Sequence, residues 1–433
     1  MTAAIRRVNA RTFSSFRYRN YRLFFTGQAI SQTGSWMQRI ALGWFVYQLT
    51  HSAFAVGIMA LASFLPFTVF GLFAGVLADR LDARRTVIAT QAGQLVTASA
   101  LAWIAIAGIA QPWMLYVIAF VNGCVLVLDV PSRQQLTYRM VGREDLPNAI
   151  ALNSSLFNAS RIFGPAVAGM VYGFTGAGVC FLVNAVSFLA VLLSLFAMRT
   201  REFYPLAEFE RPEILRGTRE GISYVLHRRR MLVILLLTVV LSTFCFNFNV
   251  TLPVLAAQTL HTSAAVYGIL SAVFGAGALV GALLAASLGR ASTRVMLIGS
   301  LVFTGSELLL APVRSPWLAG LFLFVTGAGF IAWSANSNAS MQLAAPDRLR
   351  GRIIGLYFYA FNGTGPLGGL LTGWLAARGG TELAFAVAGI AGLAATGLAA
   401  AALRPKRGIE IPRPAAQREA VVPLQVMPRP RTP

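Results

Sequence analysis

The sequence predicts an all-α membrane protein of twelve transmembrane helices, in two six-helix halves related by a parallel repeat. Three observations lead there: an apolar composition, a count of apolar runs each long enough to cross a bilayer, and an echo of the first half in the second. Of 433 residues, 56% are hydrophobic and 12% charged, and the mean hydropathy is +0.66. Soluble domains carry about 25% charged residues. A soluble chain of this size lacks the polar surface to cover itself, and disorder is excluded for most of the chain by the same numbers. Three cysteines (Cys124, Cys180 and Cys245) lie in apolar runs without metal-like spacing and read as small buried hydrophobes rather than a disulfide scaffold.

A bilayer core of ~30 Å needs ~20 apolar residues per helix. Twelve runs qualify: 22–49, 53–78, 86–109, 113–139, 147–173, 177–198, 231–258, 264–288, 294–312, 316–341, 350–377 and 381–403. Inside lipid only a helix satisfies its own backbone at this length. The expected division is 1–198 as the first half, 199–230 as a charged connector, 231–403 as the second half and 404–433 as a tail. The tail holds seven Pro and seven Lys/Arg, and reads as disordered and cytoplasmic.

The net charge of +21 would suggest nucleic acid in a soluble chain, but here its location decides otherwise. Arg6 to Arg22, Arg80 to Arg85, Arg139 and Arg143, Arg199 to Arg230, Arg290 and Arg294, Arg348 to Arg352 and the tail from Arg404 flank alternate loops. The opposite loops, at Thr50-His51-Ser52, Gln111-Pro112, Gly176-Ala177-Gly178 and Thr259-Leu260-His261, have no Arg or Lys; only Arg314 and Arg378 break the pattern. The positive-inside rule then puts both termini in the cytoplasm, and the N-terminus lacks the features of a signal peptide. The one lysine, Lys406, lies in the tail, so no Gly-rich loop ends in Gly-Lys-Ser/Thr and no ATP site of that type exists. His51, His227 and His261 lie in loops with no Cys or carboxylate cluster around them, so no enzyme, metal or cofactor is expected.

The repeat is legible at an offset of 210. Gln48 and His51 recur as Gln258 and His261; Ala55-Val56-Gly57-Ile58 recurs as Ala265-Val266 with Gly268-Ile269; Gly71, Arg80 and Arg84 recur as Gly281, Arg290 and Arg294. Phe120-Val121-Asn122-Gly123 recurs as Phe324-Val325-Thr326-Gly327, and Gly164-Pro165 as Gly365-Pro366. Parallel repeats of this kind put a substrate site near the membrane midplane between the halves.

These residues carry a family resemblance. Gly75-Val76-Leu77-Ala78-Asp79-Arg80-Leu81-Asp82-Ala83-Arg84-Arg85 resembles the loop between spans two and three of major facilitator superfamily transporters. Gly164-Pro165-Ala166-Val167-Ala168-Gly169 is similar to the span-five motif of antiporters. Asn20-Tyr21-Arg22 and Gly34-Ser35-Trp36-Met37-Gln38 resemble the enterobactin-exporter and macrolide-efflux branch, the transmembrane secretion effectors. Two positions depart from the pattern: Asp82 replaces a Gly, and Ala168 replaces the first Gly of a pair. The likeness covers roughly residues 13–403.

At 100° per residue, Gln28, Gln32, Ser35 and Arg39 share a face of span one, and the 210 offset adds Thr238, Ser242, Cys245 and Asn249 on span seven. Asn122, Asp129 and Arg133 share a face of span four, echoed by Thr326, Trp333 and Ser337 on span ten. The resemblance implies that these four spans line a central cavity, while helix–helix hydrogen bonding is the other use of such stripes. Arg161 lies one turn before Gly164 and is expected near the cavity, to meet Asp129 or an anionic substrate. Asp129 and Arg133 are spaced i, i+4, which fits either a structural ion pair or a titrating carboxylate that couples proton flow. Glu307 is alone on span nine, as a structural partner or a snorkelling side chain.

Gly75, Asp79, Arg80, Arg84, Arg85, Arg290 and Arg294 form the implied gate, with Asp79 at the N-terminus of span eleven. Gly164, Pro165, Gly169, Gly365, Pro366 and Gly369 form the implied packing between halves, with further i, i+4 glycine pairs at Gly71/Gly75 and Gly277/Gly281. The resemblance implies a proton-driven exporter of a small amphipathic molecule, siderophore or drug-like, in a bacterial inner membrane, working by alternating access. Its expected partners are that substrate, protons and lipid, with no nucleic acid, and its expected unit is a monomer. A symporter importing a metabolite and a non-transporting receptor or scaffold are the alternatives; the in-register stripes argue against the last.

Overall fold

The computed structural model describes residues 13–205, 214–287, 291–346 and 349–404. Every regular element among them is helical. The first three long helices are α1 (Arg19–Thr50), α2 (Ala53–Arg80) and α3 (Ala83–Ile106). The helical run Pro112–Thr175 turns at Gly142, giving α4 (112–141) and α5 (143–175), and α6 (Ala177–Phe196) follows. Beyond the connector come α7 (Arg229–Thr259), α8 (Ala264–Ser287), α9 (Thr293–Leu310) and α10 (Pro316–Ala344). The last run turns again at Gly379-Gly380, giving α11 (350–378) and α12 (381–403).

Nine helices among the described residues are long and apolar enough to cross a membrane. The difference from the twelve expected runs has a physical origin. The two long runs, Pro112–Thr175 and Arg350–Leu403, each count once, and each is kinked at glycine. Gly142 has φ 71 and ψ −174, and Gly380 has φ 66 and ψ −174, a region open essentially only to glycine. α1 is absent from the nine because its polar stripe lowers its apolar character below that of its neighbours. Trp103, Leu193, Trp317 and Leu398 stand exposed on the outside of the bundle, which suits lipid and not water.

α7 departs from a regular helix. Leu241–Cys245 is a π-turn, and the backbone leaves helical geometry at Phe246 (φ −85, ψ 52) before resuming at Phe248. The Phe246 N–H reaches back to the Leu241 carbonyl at 2.9 Å, and the Asn247 side-chain amide donates to the freed Thr243 carbonyl at 2.7 Å. The wide turn inserts a residue and rotates the helical face beyond it. The connector is likewise more than a solvated linker. It holds a helix, Ile214–Leu226, with Val225 fully buried and Glu220 paired to Arg352 of α11 at 2.5 Å. Positions 206–213, and the tail from 405, lie outside the described residues.

α1 packs on α5 and α6, and α3 on α4 and α6; α8 and α9 pack on α10, and α9 on α12. The helices up to Phe196 meet those from Arg229 onward along two main seams, α2 on α11 and α5 on α8. Glycines make both. A methyl group on Gly57 would lie 2.9 Å from the Gly369 carbonyl oxygen and 3.0 Å from the Gly373 Cα; one on Gly268 would lie 2.5 Å from the Pro165 carbonyl oxygen and 2.8 Å from the Gly169 Cα. Real Cβ contacts do not come this close, so backbone meets backbone there.

Candidate functional site

Between the two sets of helices lies a cavity of about 1170 Å³. Its lining reaches Leu146, Ile150, Asn153, Gln342 and Ile354, toward the Arg-rich turns around Gly142 and Arg350. The α2–α11 and α5–α8 seams at Gly57, Gly169, Gly268 and Gly373 lie toward the other end.

Six of the expected cavity residues line this wall: Gln28, Gln32 and Arg39 on α1, Arg133 on α4, Arg161 on α5 and Asn249 on α7. Arg133 links two of the polar stripes. Its Nη1 donates to Gln28 Oε1 at 2.8 Å, and its Nε lies 2.8 Å from Asp129 Oδ2, an ion pair without hydrogen-bond alignment. Asp129 itself is fully buried behind the wall, where its Oδ1 accepts from Thr90 Oγ1 at 2.7 Å and Gln91 Nε2 at 3.0 Å. Arg161 does not meet Asp129. Its guanidinium lies 5.0 Å from the Phe274 ring centre and 5.4 Å from that of Phe330, so it spans from α5 to α8 and α10. Arg39 sits over Trp36 at 4.6 Å.

The other expected cavity residues are off the wall. Ser35 is half-buried on α1, and Asn122 accepts from Thr97 of α3 at 3.3 Å. Thr238 and Ser242 are buried, Thr238 bonding back to Ile234. Past the wide turn the face of α7 has rotated, which is why Asn249 reaches the cavity while these two do not. On α10 the stripe faces α9 instead. Thr326 bonds Ser306 at 2.8 Å, and Trp333 is fully buried and stacked on Phe303 at 5.9 Å. Ser337 is buried beside Thr238 around the Tyr357 hydroxyl. The α10 residues that do line the cavity are Phe330, Ile331 and Ser334.

The aromatic part of the wall was not marked by the stripes. Phe246, Phe248, Phe274, Phe330 and Phe361 form one continuous cluster, with Phe246 and Phe330 stacked at 4.5 Å and 5°. No polar pattern announces such residues. The partners of Asp129 did have a signal: Thr90, Gln94 and Thr97, with Gln91, form a buried polar stripe on α3 at helical spacing.

Glu307 is buried, which excludes snorkelling. It meets the Cys245 thiol of α7, while its Oε2 has no hydrogen-bond partner. In the expected gate, Gly75 and Asp79 fall on α2 with side chains outside the described set, and Arg290 lies outside the described residues. Arg80, Arg85 and Arg294 are exposed. Arg84 donates from Nε and Nη2 to the Leu195 carbonyl, at 3.1 and 2.8 Å, and so closes the C-terminal turn of α6. Asp82 caps α3 through the Arg85 N–H at 2.9 Å and pairs with Arg139 at 2.9 Å. Burial pushes its carboxyl upward, but the Arg85 N–H and the Arg139 guanidinium outweigh that and hold it below the usual carboxylate range.

Of the expected packing residues, Pro165, Gly169 and Gly369 lie in the seams, and Gly365 faces Phe64 of α2 at a looser 3.8 Å from a built Cβ. Pro366 is buried in the same turn of α11. Gly164 instead meets Trp36 and Thr33 of α1, and Gly277 and Gly281 meet Phe324 and Ala328 of α10. Nothing lies within 4 Å of a Cβ built on Gly71.

An all-helical bundle with a central polar and aromatic cavity is the architecture of a major facilitator superfamily transporter. The fold agrees with that of the nucleoside transporter NupG at a TM-score of 0.73, over 90% of this chain and all of that one at 12% identity. It also matches a bacterial homolog of the human lysosomal transporter Spinster, inward-facing and unoccupied, at 0.68 over 89% and 95% at 12% identity. Residues 10–430 match the transmembrane secretion effector model, and the chain belongs to that family. Macrolide efflux protein A of Streptococcus pyogenes is 25% identical over 86% of this chain and 94% of its own length. An MFS-type transporter of Bacillus subtilis is 28% identical over 84% and 88%. The staphyloferrin A transporter of Staphylococcus aureus is 22% identical over 86% and 94%. The family and these relatives are transporters, so the chain is a multi-span membrane transporter and not an enzyme.

Proposed function

We propose that this transporter exports a small amphipathic molecule from the cytoplasm of a bacterium by proton antiport with alternating access. The observation that carries the reading is the cavity between the two sets of helices, which reaches toward the Arg-rich turns, with the glycine seams toward the other end. The positive-inside rule makes the Arg-rich end cytoplasmic, with both termini there. Twelve spans follow if α1 is the first and the two arms of each long run count separately. Two halves, 1–198 and 231–403, then rock about the site, joined by 199–230 and followed by the tail 404–433. His51 and His261, 210 positions apart, are the non-glycine residues with positive φ among the described residues, at 48° and 50°. The matching backbone supports the parallel repeat. The efflux names of the relatives support the direction.

Proton coupling falls to Asp129. In this structure Asp129 pairs with Arg133 and accepts hydrogen bonds from Thr90 and Gln91. Antiport requires proton and substrate to be bound in turn: substrate seats while the Asp129–Arg133 pair is intact, and a proton on Asp129 breaks that pair and frees Arg133 to disturb the site, which links the two fluxes. The Gly75–Arg85 segment with Arg290 and Arg294 serves as the cytoplasmic gate, and the unit is a monomer. Proteoliposomes with an imposed pH gradient and a substrate panel test the reading. Uphill movement that collapses with the gradient supports it, and movement indifferent to the gradient refutes proton antiport.

A further inference from the structure

Three arginines line the cavity and no carboxylate does, among the described residues. Asp129 answers one of them, Arg133. Among the described residues Arg39 and Arg161 have no carboxylate within ion-pair reach; Arg39 lies over Trp36, and Arg161 over Phe274 and Phe330. Both line the same cavity, Arg39 from α1 and Arg161 from α5. Two like charges placed at membrane depth without an answering anion are costly, and such residues mark what the site binds. The ring contacts supply only part of the missing neutralisation, because a cation over an aromatic face is held by a weak quadrupole.

The surroundings narrow the ligand. Arg161 projects from one set of helices onto Phe274 and Phe330 of the other. A group bound to it therefore sits at the edge of the phenylalanine cluster, with Phe246 and Phe361 just beyond. Gln32 and Asn249, also on the lining, offer neutral polar groups. A guanidinium prefers a planar or tetrahedral oxyanion, which it meets with two parallel N–H bonds.

Resting on the transport-site reading above, we infer that the substrate is an amphipathic acid. Its oxyanion seats between Arg39 and Arg161, and its apolar or aromatic body lies on the phenylalanine cluster. Cationic amphipaths are disfavoured by the same two arginines. A neutral relative of equal size binds through the aromatic wall alone. Charge-assisted hydrogen bonds contribute about 1.5–3 kcal/mol, so the acid gains roughly 10- to 100-fold in affinity over its neutral isostere.

The test uses the full chain in nanodiscs of zwitterionic lipid, so that no lipid supplies the anion. Three fluorescent probes share one body: dansyl-phenylalanine as the free acid, as its primary amide, and as a dimethylaminoethyl amide that carries a cation. The acid is expected to bind 10- to 100-fold tighter than the amide, and the cation weakest. Arg161→Gln and Arg39→Gln each lower acid affinity about tenfold and leave amide affinity unchanged, while Arg161→Lys keeps most of the preference. Equal binding of acid and amide, preferential binding of the cation, or an unchanged preference in the double Gln variant overturns the inference. Uphill transport in proteoliposomes is scored separately. Selective acid binding without uphill movement leaves the ligand class standing and removes the export reading; uphill movement of the cation alone does the reverse.

Discussion

Gly268→Ala tests the α5–α8 seam with one methyl group. The added Cβ would lie 2.5 Å from the Pro165 carbonyl oxygen and 2.8 Å from the Gly169 Cα, both backbone atoms on a packed helix. Ordinary contact requires α8 to move away from α5 by about 1 Å, because neither neighbour has a rotamer to yield. Overpacking of this kind costs about 1–3 kcal/mol. The cost falls on the state in which α5 and α8 touch, and vanishes once they part. The balance between states therefore shifts by roughly 5- to 150-fold toward the one open at the end remote from the Arg-rich turns. Ser271→Cys, on the cavity wall, reports that state when Cys124, Cys180 and Cys245 are first replaced. A membrane-impermeant maleimide applied from the remote side should label it several-fold faster in the Gly268→Ala background. Gly71→Ala is the control, since open space surrounds that position and no change is expected. Labelling of Gly268→Ala at the parent rate, in protein shown to be folded, would refute the role of the seam.

Further outcomes follow from side chains described above. Asp129→Asn should abolish uphill transport and keep downhill exchange, with a stability loss of about 1–3 kcal/mol as Arg133 loses its anion; uphill pumping by this variant would return the pair to a structural role. Glu307→Gln should leave coupling intact and change stability by less than about 2 kcal/mol, because one carboxylate oxygen has no partner to lose; a transport assay under a pH gradient reads this directly. Arg84→Ala should lower the unfolding temperature in detergent, through two lost bonds to Leu195 worth about 1–2 kcal/mol, and should slow transport per folded molecule; an unchanged transport rate would remove Arg84 from the gate. Asp82 is held below the usual carboxylate range, so its contribution is complete above that range and is lost as pH falls through the lowered value. Asp82→Asn should flatten the acid limb of a thermal-stability profile below about pH 4.

Helices were legible because lipid leaves the backbone no other choice, and their ends were legible where glycine or charge interrupts the apolar runs. On α1 the stripe residues Gln28, Gln32 and Arg39 all line the cavity, since α1 keeps regular phase past all three. On α7 Thr238 and Ser242 do not, because 100° per residue holds only until the wide turn at Leu241–Cys245. On α10 the small and polar face serves tight packing on α9, and the cavity takes the neighbouring face with Phe330. Periodicity finds a polar face without saying whether water or another helix covers it. An apolar wall is harder still, since Phe274 in a cavity and Phe163 on the lipid side look alike in sequence.

The two ends of the bundle are held by different forces. The seams at Gly57, Gly169, Gly268 and Gly373 set backbone against backbone and involve no ionised group. The opposite end is laced by Arg139 with Asp82, Arg17 with Asp145 and Arg352 with Glu220, all partly wet. Counterions screen such pairs over about 8 Å at physiological ionic strength and do nothing to a dry van der Waals contact. Ionic strength therefore acts on the bracing within each set of helices and not on the glycine seams between the sets. A cell that changes its internal salt alters how firmly each set is tied at its Arg-rich turns, while the dry seams on which the two sets meet are indifferent to it.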